Sequence, residues 1–336
     1  MMPCLPAPAA GSDATNRRQA LLILGALAAT AAWPARAAGW PDKPIKLVVT
    51  FPAGGASDIV ARMIAEDLQA AFKQPFVVDN KPGASGILAA EMVAKSAPDG
   101  YTLFLTTNTA HSVNPFLFKT LPYDPIKDFT PIARVCYFPF VLAVNAQLPV
   151  KSIPELVAYG KNPATKTSYA YGNSTGQIAG AAFTNLTRIG SVAVPYKSTP
   201  QALTDLIGGQ VTFLFVDLAS SRPHLQSGRI RALGVTVEQK GALTQDLPSV
   251  ASAAQLPGFD LAAWVGVVGP AGVPPAIVNQ VSERINQMLA RKEVVDKLTA
   301  LGADVAPGNA AELGGYMKSQ LELWGRKVRE AGIQPE

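Results

Sequence analysis

The sequence predicts a mixed α/β protein of two lobes joined by two crossover strands. Three observations carry that expectation. From Ile45 onward, short β-branched apolar runs alternate with segments of helical periodicity. The alternation pauses near residue 142 and then starts again as a second series. A last strand-like run and a helical tail remain, too little material for a core of their own.

In the first series IKLVVTF (45–51) reads as a strand and IVARMIAEDLQAAF (59–72) as a helix, starting at Ser57 or Asp58. FVVDN (76–80) is a strand and GILAAEMVAKSA (86–97) a helix stopped by Pro98-Asp99-Gly100. YTLFLTT (101–107) is the third strand. That order calls for parallel pairing with right-handed crossovers.

The second series opens with SIPELVAYGKN (152–162), whose Ser and Pro suit a helix start. Strands follow at TSYAYG (167–172), SVAVPY (191–196), QVTFLFVDL (210–218) and IRALGVT (230–236). Helices lie between them at 176–189, 199–209 and 219–229. LAAWVGVVGP (261–270) is one more strand, and 274–290, 293–302 and 310–332 are helical. The tail is expected to rejoin the first series. Lobe 1 is then 38–142 plus 264–336 and lobe 2 is 143–263, with crossings near Leu142–Pro149 and Gly258–Trp264. A cleft between two such lobes suits a hinge.

The first 37 residues read as an export signal. Arg17 and Arg18 precede the apolar run Ala20–Trp33, and Ala35-Arg36-Ala37 is a small-x-small cleavage pattern. The arginine pair leaves a Sec or a twin-arginine route open. Cleavage removes three arginines and one aspartate, which takes the formal charge from +5 to +3. Cys136 is then the sole cysteine, and inside RVCYFPFVL it reads as a small buried hydrophobe. The 336 residues are 48% hydrophobic and 16% charged, enough for two domains with a large core. No Lys/Arg cluster supports nucleic-acid binding.

Ligands of a parallel sheet gather beyond the carboxyl ends of its strands. Four loops take that position: Pro52-Ala53-Gly54-Gly55-Ala56-Ser57-Asp58, Thr106-Thr107-Asn108-Thr109, Gly172-Asn173-Ser174-Thr175-Gly176 and Val216-Asp217-Leu218. Small and hydroxylated residues at helix starts offer N–H and O–H groups to an anionic oxygen. None of the four loops contains the lysine of a Walker loop or the G-x-G-x-x-G of a dinucleotide site. No metal-ligand spacing occurs. Ser57 is equally explained as a helix cap, and Asp58 as a complement to the helix dipole. Asp217 either accepts from a ligand amine or hydroxyl, or caps the next helix. A secreted α/β hydrolase using His111 and a nearby serine is the alternative; the G-x-S-x-G elbow it would need is missing.

Several ordered blocks resemble one family. They are WPDKPIKLVVTFPAGGASDIVAR (40–62), VVDNKPGASGILAAEMVAKSAPDGYTL (77–103), VNPFLFKTLPYDPIKDFTPIA (113–133), VPYKSTPQALTDLIGGQV (194–211), RPHLQSGRIRALGVT (222–236) and LPGF…W…GPAGVP (256–274). The chain resembles the exported solute receptors of tripartite tricarboxylate transporters, the Bug receptors. The resemblance implies a two-lobed, type II-like periplasmic binding protein fold that closes on a small carboxylated solute without transforming it. It places Pro52–Ser57 and Thr106–Thr109 around the carboxylate, held largely by backbone N–H groups and ordered water. Gly172–Thr175, Asp217 and Tyr196 would meet the rest of the ligand, a di- or tricarboxylate, an amino acid or an aromatic acid. It implies membrane permease subunits as partners, no cofactor, and a monomer in the periplasm. A sensor without its own permease fits the same residues. The chain departs from the family in YAYGNSTGQ, which brings Tyr171 beside the cleft where a Ser-rich stretch is common, and in Val216-Asp217-Leu218, where Asp-Asn-Leu is frequent. Both departures bear on ligand identity.

Overall fold

The computed structural model describes residues 39–335 except Gln239 and Ala242. The expected export signal, 1–37, lies outside the described residues. The chain divides into two units, Met1–Asp42 and Lys43–Glu336, and every named element belongs to the second.

In chain order β1 (Ile45–Val49), α1 (Ala56–Phe72), β2 (Phe76–Asn80), α2 (Ile87–Ala94) and β3 (Thr102–Thr107) form the first series. A π-helical turn, Thr109–Val113, and the short α3 (Asn114–Leu117) lead to β4 (Phe129–Asn145). The second series is α4 (Ile153–Lys161), β5 (Ser168–Tyr171), α5 (Ser174–Thr187), β6 (Val192–Pro195), α6 (Thr199–Ile207), β7 (Phe213–Asp217), α7 (Leu218–Gln226), β8 (Ile230–Val235) and α8 (Val250–Ala253). Then come β9 (Ala262–Pro270), α9 (Pro275–Leu289), α10 (Lys292–Ala300), β10 (Asp304–Gly308) and α11 (Ala310–Glu330).

The sheet runs β2-β1-β3-β9-β4-β7-β5-β6, with β8 and β10 also paired to β4. β1 is parallel to β2 and β3, and β5 is parallel to β6 and β7, as the alternation predicts. β4 ties the two parallel groups together. Its Phe129–Pro139 stretch is antiparallel to β9, and Phe140–Val144 is antiparallel to β7. The sequence shows this segment as an apolar run with a crossover strand expected near Leu142–Pro149, and gives no sign of a strand beginning at Phe129. Pro131 and Pro139 hid it, since proline cannot donate to a ladder. Pro131 sits at a register shift, and Pro139 forms the last pair with β9 before the strand moves to β7. β10 has no strand signal for the same reason, because DVAPG ends in Pro-Gly.

Burial follows the strand period of two. On β7, Phe213 and Phe215 enter a core with Leu142, Phe183 and Phe259, while Leu214 and Val216 enter another with Leu203 and Leu206. A third core gathers Val48, Phe104 and Trp264. α11 contributes Leu313 and Met317 to that third core, and Trp324 and Val328 to the first. Cys136 is buried, and burial pushes its thiol up to about 12.

Candidate functional site

Parallel strands expose their carboxyl ends together, and the loops after β1, β3, β5 and β7 converge on one cavity of about 660 Å³. Pro52, Gly55, Ala56 and Ser57 come from the first loop, and Thr107, Asn108 and Thr109 from the second. Gly172, Asn173, Ser174 and Thr175 face them, with Asp217 beside Ser220. Phe138 and Phe140 of β4 and Val265 of β9 supply apolar wall. Phe138 and Phe140 are missed because prolines hide β4, and Val265 is missed, although its strand is expected, because the sequence points to strand-end loops alone. Also missed are Lys197, Ser198, Thr199 and Pro200 before and at the start of α6. The Ser-Thr-Pro helix start after a strand was a usable signal for that last loop.

Five expected residues do not line this cavity. Ala53 and Gly54 lie in the first loop, and Thr106 is fully buried. Tyr171 and Tyr196 line a neighbouring cavity of about 280 Å³ that shares Gly172, Asn173 and Ser174. The Tyr196 hydroxyl donates to Asp205 at 2.7 Å.

Asp58 organises the first loop. Its carboxylate, 2% exposed, accepts from Gly54 N–H, Arg62 Nε and Asn80 Nδ2, each at 2.9 Å. Asn80 also donates to the Phe51 carbonyl at 2.9 Å. Burial works to raise the Asp58 pKa, but the donated hydrogen bonds from Arg62, Gly54 and Asn80 outweigh it and hold the group at about 2. Gly54 has φ of 86°, a left-handed conformation that turns its N–H back onto Asp58. α1 therefore starts at Ala56, not at Ser57 or Asp58, and Gly55 rather than Ser57 is its cap residue. No side chain caps this end, so its first N–H groups stay available.

The other helix starts at the cavity differ. Asn173 caps α5 by accepting from Gly176 N–H at 2.8 Å, and Asp217 caps α7 by accepting from Ser220 N–H at 2.8 Å. Asp217 caps α7, one of the two roles the sequence left open, and it also lines the cavity. Burial raises its pKa, with the Ser220 hydrogen bonds opposing. α6 follows Ser198 with no side-chain cap, and Lys197 adjoins it.

Two hydroxyls mark the floor. Thr107 is 5% exposed, lines the cavity, and its Oγ1 has no hydrogen-bond partner. Thr175 Oγ1 accepts from Asn108 Nδ2 at 3.1 Å, both residues being buried. Buried hydroxyls without partners are uncommon, and among the described residues Thr107 is the one of them that belongs to the lining of this cavity.

His111 is remote from this chemistry. It is fully buried against Phe104, Phe129 and Trp264, with Nδ1 2.7 Å from the Pro125 carbonyl. Burial depresses its pKa to about 4. It lines no part of the cavity, so it has no serine to activate there. Among the described residues no group of three His, Cys, Asp or Glu side chains is placed to hold a metal ion.

Known proteins share this fold. A family model described as the tripartite tricarboxylate transporter family receptor matches residues 60–333, which begins just after the first cavity loop. A Rhodopseudomonas palustris protein solved with adipate is 34% identical, with a TM-score of 0.78 over 88% of this chain and 100% of that one. The periplasmic binding protein BugD is 30% identical, with a TM-score of 0.74 over 88% and 100%. MatC of Rhodopseudomonas palustris, solved with bound malate, is 31% identical, with a TM-score of 0.72 over 86% and 100%.

Proposed function

Because the chain belongs to the family of tripartite tricarboxylate transporter receptors, we propose that its cavity captures a small organic acid in the periplasm and delivers it, unchanged, to membrane permease subunits. Receptors of this family are solute-binding proteins and not enzymes, and BugD is named a periplasmic one. Adipate and malate, the ligands of two relatives, each carry two carboxylates. In this reading residues 1–37 are removed on export and the mature protein works as a monomer.

One observation supports the carboxylate reading above the others. Thr107, whose buried hydroxyl has no partner, lines the same cavity as the uncapped start of α1. A carboxylate seated there would accept from Thr107 and from N–H groups of the Gly55–Ser57 turn, with the helix dipole favouring its charge. The second uncapped start, α6 beside Lys197, suits a second carboxylate. Phe138, Phe140 and Val265 suit the methylenes between them. Asp217 repels an anion at its own position and favours a hydroxyl or amine there. Closure of 38–142 plus 264–336 against 143–263 would desolvate the charges and strengthen these bonds.

Isothermal titration of protein freed of co-purified ligand tests the reading, with adipate, malate, citrate, aspartate and benzoate as the panel. Adipate or malate should bind. Absence of heat with every acid overturns the proposal. Lys197→Gln should weaken adipate about tenfold, or about 1.4 kcal/mol, and change hexanoate, with one carboxylate, far less.

A further inference from the structure

The hydrogen bond from Asn108 Nδ2 to Thr175 Oγ1 joins two strand groups that β9 and β4 separate in the sheet order. Asn108 follows β3, in the parallel group β2-β1-β3, while Thr175 lies in the first turn of α5, beside β5 of the other parallel group. The residues are 67 apart in sequence, 1% and 4% exposed, and both line the cavity. Other side-chain bonds at this site stay within one group: Asp58 serves its own loop, Asn173 reaches Thr199 at 3.1 Å, and Asp217 serves Ser220.

We propose that Asn108 and Thr175 form a clasp that builds the ligand cavity from its two halves and slows ligand escape. The inference rests on the solute-receptor reading. With its oxygen accepting from Asn108, the Thr175 hydroxyl keeps its proton free to turn away from Asn108 and into the cavity. Asn108 thereby orients a donor toward a ligand oxygen, which makes it a positioning residue. Where water reaches the separated amide and hydroxyl, breaking the clasp still loosens both loops but costs less than it does in a filled cavity. Within a closed, ligand-filled cavity the same groups are dry, and losing one partner leaves the other unsatisfied. The clasp therefore biases closure most when a ligand has displaced water.

Thr175→Val keeps the side-chain shape and removes the acceptor and the donor. Thr175→Ser restores both. Stopped-flow release of adipate from the full-length protein should be about tenfold faster in Thr175→Val and within about threefold of wild type in Thr175→Ser, with association rates nearly unchanged. Asn108→Ala should speed release comparably, and the double variant should be no faster than either single one. Equal release rates in wild type and Thr175→Val overturn the clasp, as does full additivity of Asn108→Ala and Thr175→Val. Failure of the solute-receptor reading looks different, because wild-type protein would then bind no acid of the panel. Hydrogen exchange on the ligand-free protein covers that case. Amides of 107–109 and 174–176 should exchange faster in Thr175→Val, and unchanged protection there also overturns the clasp.

Discussion

Asp58 shows how much one side chain sets at this site. A carboxylate in the first turn of a helix is explained by the dipole alone, and the sequence supports no more than that. In the fold the group is buried and is held ionised by Arg62, Gly54 and Asn80, so it fixes the turn that leads into α1. Asp58→Ala would leave Gly54 N–H and Asn80 short of an acceptor. We expect a loss of about 2–3 kcal/mol in chemical denaturation and weakened adipate binding. His111 gives a second prediction. Its pKa is near 4 in the fold against 6.5 in the unfolded chain, so the unfolded state takes up the proton first. Its contribution to stability is complete above pH 6.5 and is lost as the pH falls from 6.5 toward 4. The loss should be on the order of 3 kcal/mol, read from denaturation midpoints between pH 7 and 4. His111→Gln should flatten that slope. From its place after the Thr-Asn-Thr loop, the sequence allows His111 to approach the cleft. The π-helical turn instead carries it into the aromatic core.

At the scale of elements, the alternating strands and helices were legible because each has an apolar face of regular period. β4 and β10 were not, because their prolines erase that signal while pairing across the sheet sustains the strands. The glycines of the loops separate in the same way. Gly54 and Gly172 look alike in sequence as turn formers. A Cβ at Gly54 meets nothing within 4 Å, so Gly54→Ala is penalised only by its positive φ. A Cβ at Gly172 falls 2.3 Å from backbone atoms of Ser198 and Thr199, so it would push the start of α6 away. Gly54→Ala should therefore cost about 1 kcal/mol. Gly172→Ala should cost clearly more and weaken adipate binding by displacing the Lys197–Pro200 loop. Thermal unfolding and titration of the two variants side by side check the order; a larger loss at Gly54 would contradict it.

At the scale of the whole molecule, α11 is the element that a linear reading could not place. One 21-residue helix carries Leu313 and Met317 into the core around Phe104 and Trp264, and Trp324 into the core around Phe183 and Phe213. Trp324 is fully buried and donates from Nε1 to Gln320 at 3.2 Å. Trp324→Ala should destabilise by about 3–5 kcal/mol in urea, through the cavity it leaves. Added adipate should recover part of the loss in the melting temperature by mass action.

By itself the sequence determined the α/β class, the parallel pairing of both series, the family, and the loops after β1, β3, β5 and β7. Those features are local: they depend on periodicity, on turn residues and on which strand a loop follows. Tertiary structure alone decided that Asp58 is a buried hub, that Thr107 lines the cavity while the buried Thr106 does not, and that Lys197 joins the cavity whereas Tyr196 is turned to Asp205. It also decided that Asn108 meets Thr175. Burial and cross-sheet partnership arise from segments tens of residues apart, and no short-range pattern encodes them.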